Sequence, residues 1–295
     1  MAKTFLIIAL FAAFVSRTEP VRLKVAAVQF RSSFNVPDNL KRINAILEQL
    51  ADQGVGVAAF PECALTGYHT GEVMEPSGQA VLDAEEEIRL TCQKKKIGAV
   101  VGSIYRIDGR TYDAAVVFNS RGELVERYGK VMLAGEKWAV PGNHIALFEL
   151  EGILSTVIIC HDERYPELVR LPAMAGAQVV YYISHEAGME KERKLAGYRA
   201  QMMARAVEND VFVVAANAPG NIQDNSGSHG QSRVIANDGN ILQEGSFYGD
   251  DVLVETLVIK PRESEWLAKG LKGLLADWWA EGVEFMKRNQ HRKLQ

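Results

Sequence analysis

Only three cysteines, Cys63, Cys92 and Cys160, occur in 295 residues. That is too few for a disulfide framework, and the odd count leaves at least one thiol unpaired within a monomer. No block of basic charge stands out and the formal net charge is −4, so nucleic acid is not an expected partner. Internal repeats, low-complexity tracts and Gly/Ser linkers are lacking, which favours one continuous domain. There is no H-E-x-x-H motif, and His161, His185 and His229 show no metal-ligand spacing, so no metal is expected. The apolar run at residues 5–15 is shorter than the roughly 20 residues that span a bilayer. Flanked by Lys3 and by later polar residues, it fits the apolar region of a signal peptide. Residues 1–16 are therefore expected to direct export, to a periplasm or outside the cell, with cytoplasmic residence if the segment is not a signal. Export would put a free thiol in an oxidising compartment.

What is present is an ordinary globular composition, 47% hydrophobic and 24% charged, enough to bury a large core. "VRLKVAAVQF", from Val21, alternates weakly and reads as a strand. Leu40, Ile43, Ile46, Leu47 and Leu50 recur with a period of about 3.6, giving an amphipathic helix that stops at Gly54. "VGVAAFPE" is a short apolar strand, and a second helix is expected over 79–96. Strands follow at 98–106, 114–119 and 124–128. The second half repeats the alternation. A strand ends at Cys160, a helix spans about 166–175, "AQVVYYIS" is a strand, and a long helix over 190–208 precedes "VFVVAANA". Strands at 232–236, 240–243 and 252–256 close a domain over 21–260. This order predicts a layered α/β fold with helices covering sheets. Residues 261–295, with Trp266, Trp278, Trp279 and Phe285, read as a C-terminal helical extension.

Functional groups in layered α/β folds gather at strand ends. Three such ends carry reactive side chains: "VAAFPE" delivers Glu62, "ERYGKVMLAGEKWAVPG" carries Lys130 and Glu136, and "CHDERYPE" opens with Cys160. A thiol of ordinary pKa is only a few per cent ionised at neutral pH, so a nucleophilic cysteine needs a base. A carboxylate takes its proton and returns it to a leaving amine, and an ammonium stabilises the oxyanion. Each residue also has a bland reading. Cysteine is among the most buried residue types, Glu62 after proline suits a helix start, and Lys130 suits an exposed strand end.

The ordered set "VAAVQF", "FPECALTGY", "YGKVMLAGEKWAVPG", "CHDERYPE", "RAQMMARAVENDVFVVAAN" and "SGSHGQSRVIANDGNIL" resembles the nitrilase superfamily of carbon–nitrogen hydrolases. The resemblance covers roughly residues 21–259. It implies a four-layer α-β-β-α sandwich that pairs into a homodimer or higher homo-oligomer, and it implies no metal or organic cofactor. It places a general base at Glu62, the lysine at Lys130, the nucleophile at Cys160 and a second, substrate-positioning glutamate at Glu136. The implied reaction is attack on an amide, carbamoyl or nitrile carbon to give a thioester, which water hydrolyses.

Substrate is harder to read. Relatives that remove a carbamoyl group from D-amino acids carry two adjacent arginines after the cysteine; here Glu163 precedes Arg164. The acid disfavours a carbamoyl-amino-acid substrate and favours a cationic or neutral one. Nitrile-specific members usually carry Trp-Glu after the cysteine, where this chain has His161-Asp162, which favours amides. His161, through its backbone N–H, and Arg164, His185 and Glu186 are the expected substrate contacts, with Arg193 a further candidate. The expected partner is a small amide or N-carbamoyl compound. A nitrilase, or a binding protein that kept the fold and lost the chemistry, are the alternatives. The "SGSHG" segment, residues 226–230, only approaches a G-x-S-x-G elbow and reads as structural, as do Cys63 and Cys92.

Overall fold

Strand β1 (Val21–Gln29) is buried from Val25 onward and lies second from one edge of a six-stranded sheet. The computed structural model describes residues 19–68, 78–186, 195–223, 227–261 and 274–289. The segment 1–16, Arg193 and Trp266 lie outside the described residues.

Helix α1 (Val36–Asp52) follows β1. The Asn35 side chain caps it by accepting from the Asp38 N–H, and a proline lies in its first turn, where no intrahelical donor is lost. Its buried stripe includes Ile43, Leu47 and Leu50, each contributing about 1.5–3 kcal/mol by leaving water. Gly54, at φ 75°, ends it. That left-handed position suits glycine, and the Val55 N–H closes onto the Leu50 carbonyl.

Next come β2 (Val57–Ala59), α2 (Gly78–Lys95), β3 (Gly98–Ile107), β4 (Arg110–Phe118) and β5 (Leu124–Gly129). The first sheet runs β12-β1-β2-β3-β4-β5, where β12 is Asp251–Ile259. Strand β4 starts four residues before the expected position, because Asp108 and Gly109 both take positive φ and form a two-residue hairpin turn. Ile107 therefore pairs directly with Arg110.

The second sheet runs β11-β10-β9-β8-β7-β6. Its strands are β6 (Phe148–Leu150), β7 (Ile153–Ile159), β8 (Val179–Ser184), β9 (Phe212–Asn217), β10 (Arg233–Ile235) and β11 (Ile241–Glu244). The short β6 was not expected from the sequence. Helices α3 (Glu167–Met174) and α4 (Leu195–Asn209) belong to this half, and α5 (Leu274–Asn289) lies in the C-terminal segment.

Three buried clusters define the layers. Val25, Ala27, Val100 and Val117 of the first sheet pack on Val157, Ile159, Tyr181 and Val214 of the second. The other face of the first sheet packs on α1 and α2 through Ile43, Leu47 and Ile88. The other face of the second sheet packs on α3 and α4 through Val169, Met202 and Ala206. The order is α-β-β-α, as expected. A face buried on each side explains why the central strands are continuously apolar. Among the described residues no helix is long and apolar enough to cross a membrane.

Candidate active site

The ends of β2, β5, β7 and β8 meet, and each contributes a polar group that the sheets hold in place. After β2 the chain turns sharply at Glu62 and Cys63. Cys63 takes a positive φ of 52°, and a Cβ at Gly102 of β3 would overlap the Pro61 carbonyl and the Cys63 nitrogen. Position 102 must be glycine for β3 to lie this close to the turn. The turn puts the Glu62 side chain inside, 1% exposed.

Lys130 follows β5 and is wholly buried. Its N–H donates to the Asp113 carbonyl of β4, and its carbonyl accepts from Gly142. Its ammonium donates to Glu62 Oε1 at 2.5 Å and to Glu136 Oε1 at 2.6 Å, and lies 3.4 Å from Asp113 Oδ2. Burial disfavours the lysine charge, yet the surrounding carboxylates outweigh it and hold Lys130 protonated, well above its ordinary pKa. Glu136 is pushed up by burial, but the Lys130 charge and hydrogen bond and the Ala134 N–H bring it below the ordinary value. Asp113 is raised well above the carboxylate range by burial first and then by the Glu62 charge. Oxygens of Glu62, Asp113 and Glu136 lie within 4.8 Å of one another, a set that suits a cation, and the Lys130 ammonium already stands among them.

Cys160 ends β7 and opens a 3₁₀ turn, Cys160–Arg164. Its φ is 45°, a conformation that costs a non-glycine residue of the order of 1–3 kcal/mol. Asp162 fastens this turn to the Lys130 loop: its carboxylate accepts from the Tyr128 hydroxyl (2.8 Å), the Met132 N–H (2.8 Å) and the Ile159 N–H (3.1 Å). Burial pushes Asp162 up to about 6. The Cys160 thiol is raised well above its ordinary value, by burial first, then by the Glu62 charge, with Lys130 opposing. The resting sulfur is therefore a thiol. All three cysteines are free.

His185 follows β8. Its N–H donates to Glu62 Oε2 at 2.6 Å, its carbonyl lies 3.9 Å from Cys160 Sγ, and its ring stacks on Tyr68 with centroids 4.5 Å apart. Burial lowers the imidazole to about 4, so the ring is neutral. The Tyr68 hydroxyl donates to Glu136 Oε1 at 2.9 Å.

Beyond Cys160 lies a second buried network. The Tyr182 hydroxyl sits 2.5 Å from Glu186 Oε1 and 3.1 Å from Glu163 Oε2. One hydroxyl proton cannot serve two ionised carboxylates, so Glu163 keeps its own. Burial first, then the Glu186 charge, push it up to about 9. His229 Nε2 lies 2.9 Å from Glu186 Oε2, and the His229 ring stacks on Tyr198. Asn217 accepts from the Glu186 N–H, Ser184 and Ser228.

Of the residues singled out from the sequence, Glu62, Lys130, Glu136 and Cys160 therefore converge, and His185 joins them. Glu186 belongs to the neighbouring Tyr182 network. His161 packs its ring edge-on to Tyr165, and Arg164 is exposed. Sequence reasoning passed over Tyr68 and Asp113. Tyr68 closes the "FPECALTGY" motif, and Asp113 is an acid inside a strand that the sequence reading began one residue later. It also set His229 aside as structural, although that ring abuts Glu186.

The family model for carbon-nitrogen hydrolases matches residues 24–261. The 2-oxoglutaramate amidase of Bacillus subtilis is 28% identical over 227 residues, 75% of this chain and 85% of that protein. The omega-amidase NIT2 of Danio rerio is 28% identical over 207 residues, covering 66% and 74%. The crystal structure of an amidase from Nesterenkonia sp. aligns with a TM-score of 0.76 at 25% identity, over 90% of this chain and 97% of that one. The chain belongs to the carbon-nitrogen hydrolase family and is an enzyme of that class.

Proposed function

We propose that this carbon-nitrogen hydrolase cleaves a linear amide and releases ammonia through a thioester on Cys160. The observation that carries the reading is the Lys130 ammonium held between the Glu62 and Glu136 carboxylates, with Cys160 presented on a positive-φ turn across from them. Because the resting sulfur is protonated, attack needs a base. Glu62 takes the thiol proton as sulfur bonds to the amide carbon. The carbonyl oxygen gains charge, which Lys130 and the His161 N–H stabilise. Each such donor is worth about 2.7–4 kcal/mol in a water-excluded site. Glu62 then returns the proton to nitrogen, the C–N bond breaks and ammonia leaves. Water, deprotonated by Glu62, attacks the thioester and frees acid and thiol. Glu136 holds Lys130 and the substrate nitrogen in place.

The relatives favour amides, being a 2-oxoglutaramate amidase and an omega-amidase. An N-carbamoyl amino acid fits less well, because the buried carboxyl of Glu163 stands where relatives specific for such substrates carry arginine. The test is ammonia release from a panel of short amides, N-carbamoyl compounds and nitriles, with Cys160→Ala as control. Amide turnover that vanishes in the control, with a Cys160 acyl adduct on the intact enzyme, is expected. Turnover of nitriles alone, or an adduct on a peptide lacking Cys160, overturns the reading.

A further inference from the structure

One side chain outside the four converging groups touches both halves of the site. Tyr68 lies nine residues beyond the end of β2, on the first sheet's side, and its hydroxyl donates to Glu136 Oε1. The same oxygen accepts from Lys130, and Glu136 Oε2 accepts from the Ala134 N–H. Tyr68 thus completes the set of donors that fixes the Glu136 carboxylate. Its ring lies nearly parallel to the His185 imidazole, 17° between planes, on the second sheet's side. His185 in turn holds Glu62 by its N–H and faces Cys160 Sγ with its carbonyl. The charged groups that act on Tyr68 are Glu62, Glu136 and Lys130.

We infer that Tyr68 is a positioning residue, which sets how the Lys130 ammonium is shared between Glu136 and the Cys160 sulfur and clamps the His185 backbone that orients Glu62. The physical basis is competition for one cation. While Tyr68 and Ala134 share the load on Glu136, its carboxylate draws less on Lys130, and more of that charge is left for a thiolate or oxyanion. Removing the hydroxyl tightens the Glu136–Lys130 pair and weakens what Lys130 offers to sulfur. The kinetic part of this inference rests on the amide-hydrolase reading; the effect on the sulfur does not.

The experiment compares wild type with Tyr68→Phe, which keeps the ring on His185, and Tyr68→Leu, which removes both contacts. Two readouts are taken on folded protein, verified by thermal melting. The first is the pH profile of Cys160 alkylation by iodoacetamide, read by mass spectrometry. The second is kcat and KM for the best amide. In Tyr68→Phe the alkylation midpoint moves to higher pH, and kcat falls about tenfold with KM little changed. Tyr68→Leu falls further. An alkylation profile superimposable on wild type in Tyr68→Phe overturns the inference. A shifted profile in a protein that turns over no amide upholds Tyr68 and refutes the amide reading instead.

Discussion

The Lys130 ammonium lies 2.5 Å from Glu62 Oε1, and neither side chain reaches solvent. Glu136 takes a second ammonium proton, so one buried cation serves two buried carboxylates. Breaking such a set by removing one member costs about 3–5 kcal/mol, because the partners stay buried and uncompensated. Lys130→Met is therefore expected to lose about 100-fold or more in turnover and to unfold at markedly lower urea. Adding Glu62→Gln to it restores part of the stability and none of the activity. Urea titrations of the single and double variants check this. A double variant no more stable than Lys130→Met contradicts the uncompensated-charge account.

Gly102 offers a test that touches no reacting group. A methyl there meets backbone atoms of residues 61–63, which cannot rotate aside as a side chain does. Gly102→Ala is expected to push the Glu62 turn off β3, costing about 1–3 kcal/mol as overpacking does and lowering kcat more than it raises KM. Melting and steady-state kinetics read both. Wild-type kcat in a folded Gly102→Ala protein would show that the turn tolerates displacement.

The layers were legible in the sequence because the strands buried on both faces are apolar throughout and α1 keeps a clear helical period. The strand ends at Glu62, Lys130 and Cys160 could be picked out from the apolar runs before them, but their roles, and that of Glu136, came from the resemblance of the ordered motifs. Tyr68 and Asp113 were passed over, since their roles arise from contacts made only in the folded chain: Tyr68 reaches Glu136, 68 residues further on. Asp113 meets Lys130 only because β4 and β5 are hairpin neighbours. Glu163 was read from the sequence as the acid that disfavours a carbamoyl-amino-acid substrate, without a buried partner. Only the fold puts it 3.1 Å from Tyr182 and leaves Arg164 outside.

Glu163 makes stability depend on pH with a definite sign. Its folded pKa, about 9, lies above the ordinary 4.5, so the folded state holds a proton that the unfolded state gives up. Stability is then greatest below about 4.5 and is lost as pH rises toward 9, by at most about 1.4 kcal/mol per pH unit. Glu163→Gln keeps a donor for Tyr182 and carries no such proton. Its melting temperature, followed from pH 5 to 9, is expected to gain steadily on wild type. Parallel curves would mean that Glu163 is ionised in the folded protein.

Cys160 joins the chemistry to the backbone through its φ of 45°. Elsewhere, replacing alanine by glycine destabilises by about 0.5–1 kcal/mol, since glycine loses more freedom on folding. At a left-handed position the order reverses, because alanine bears the strain and glycine does not. Cys160→Ala and Cys160→Gly are both expected to be inactive and to form no acyl adduct. Cys160→Gly should nevertheless unfold at equal or higher urea than Cys160→Ala. The comparison isolates the turn from the sulfur, since both variants lack it. If Cys160→Ala proves more stable by the ordinary increment, the turn is relaxed in solution, and the sulfur is presented by the Asp162 hydrogen bonds without backbone strain.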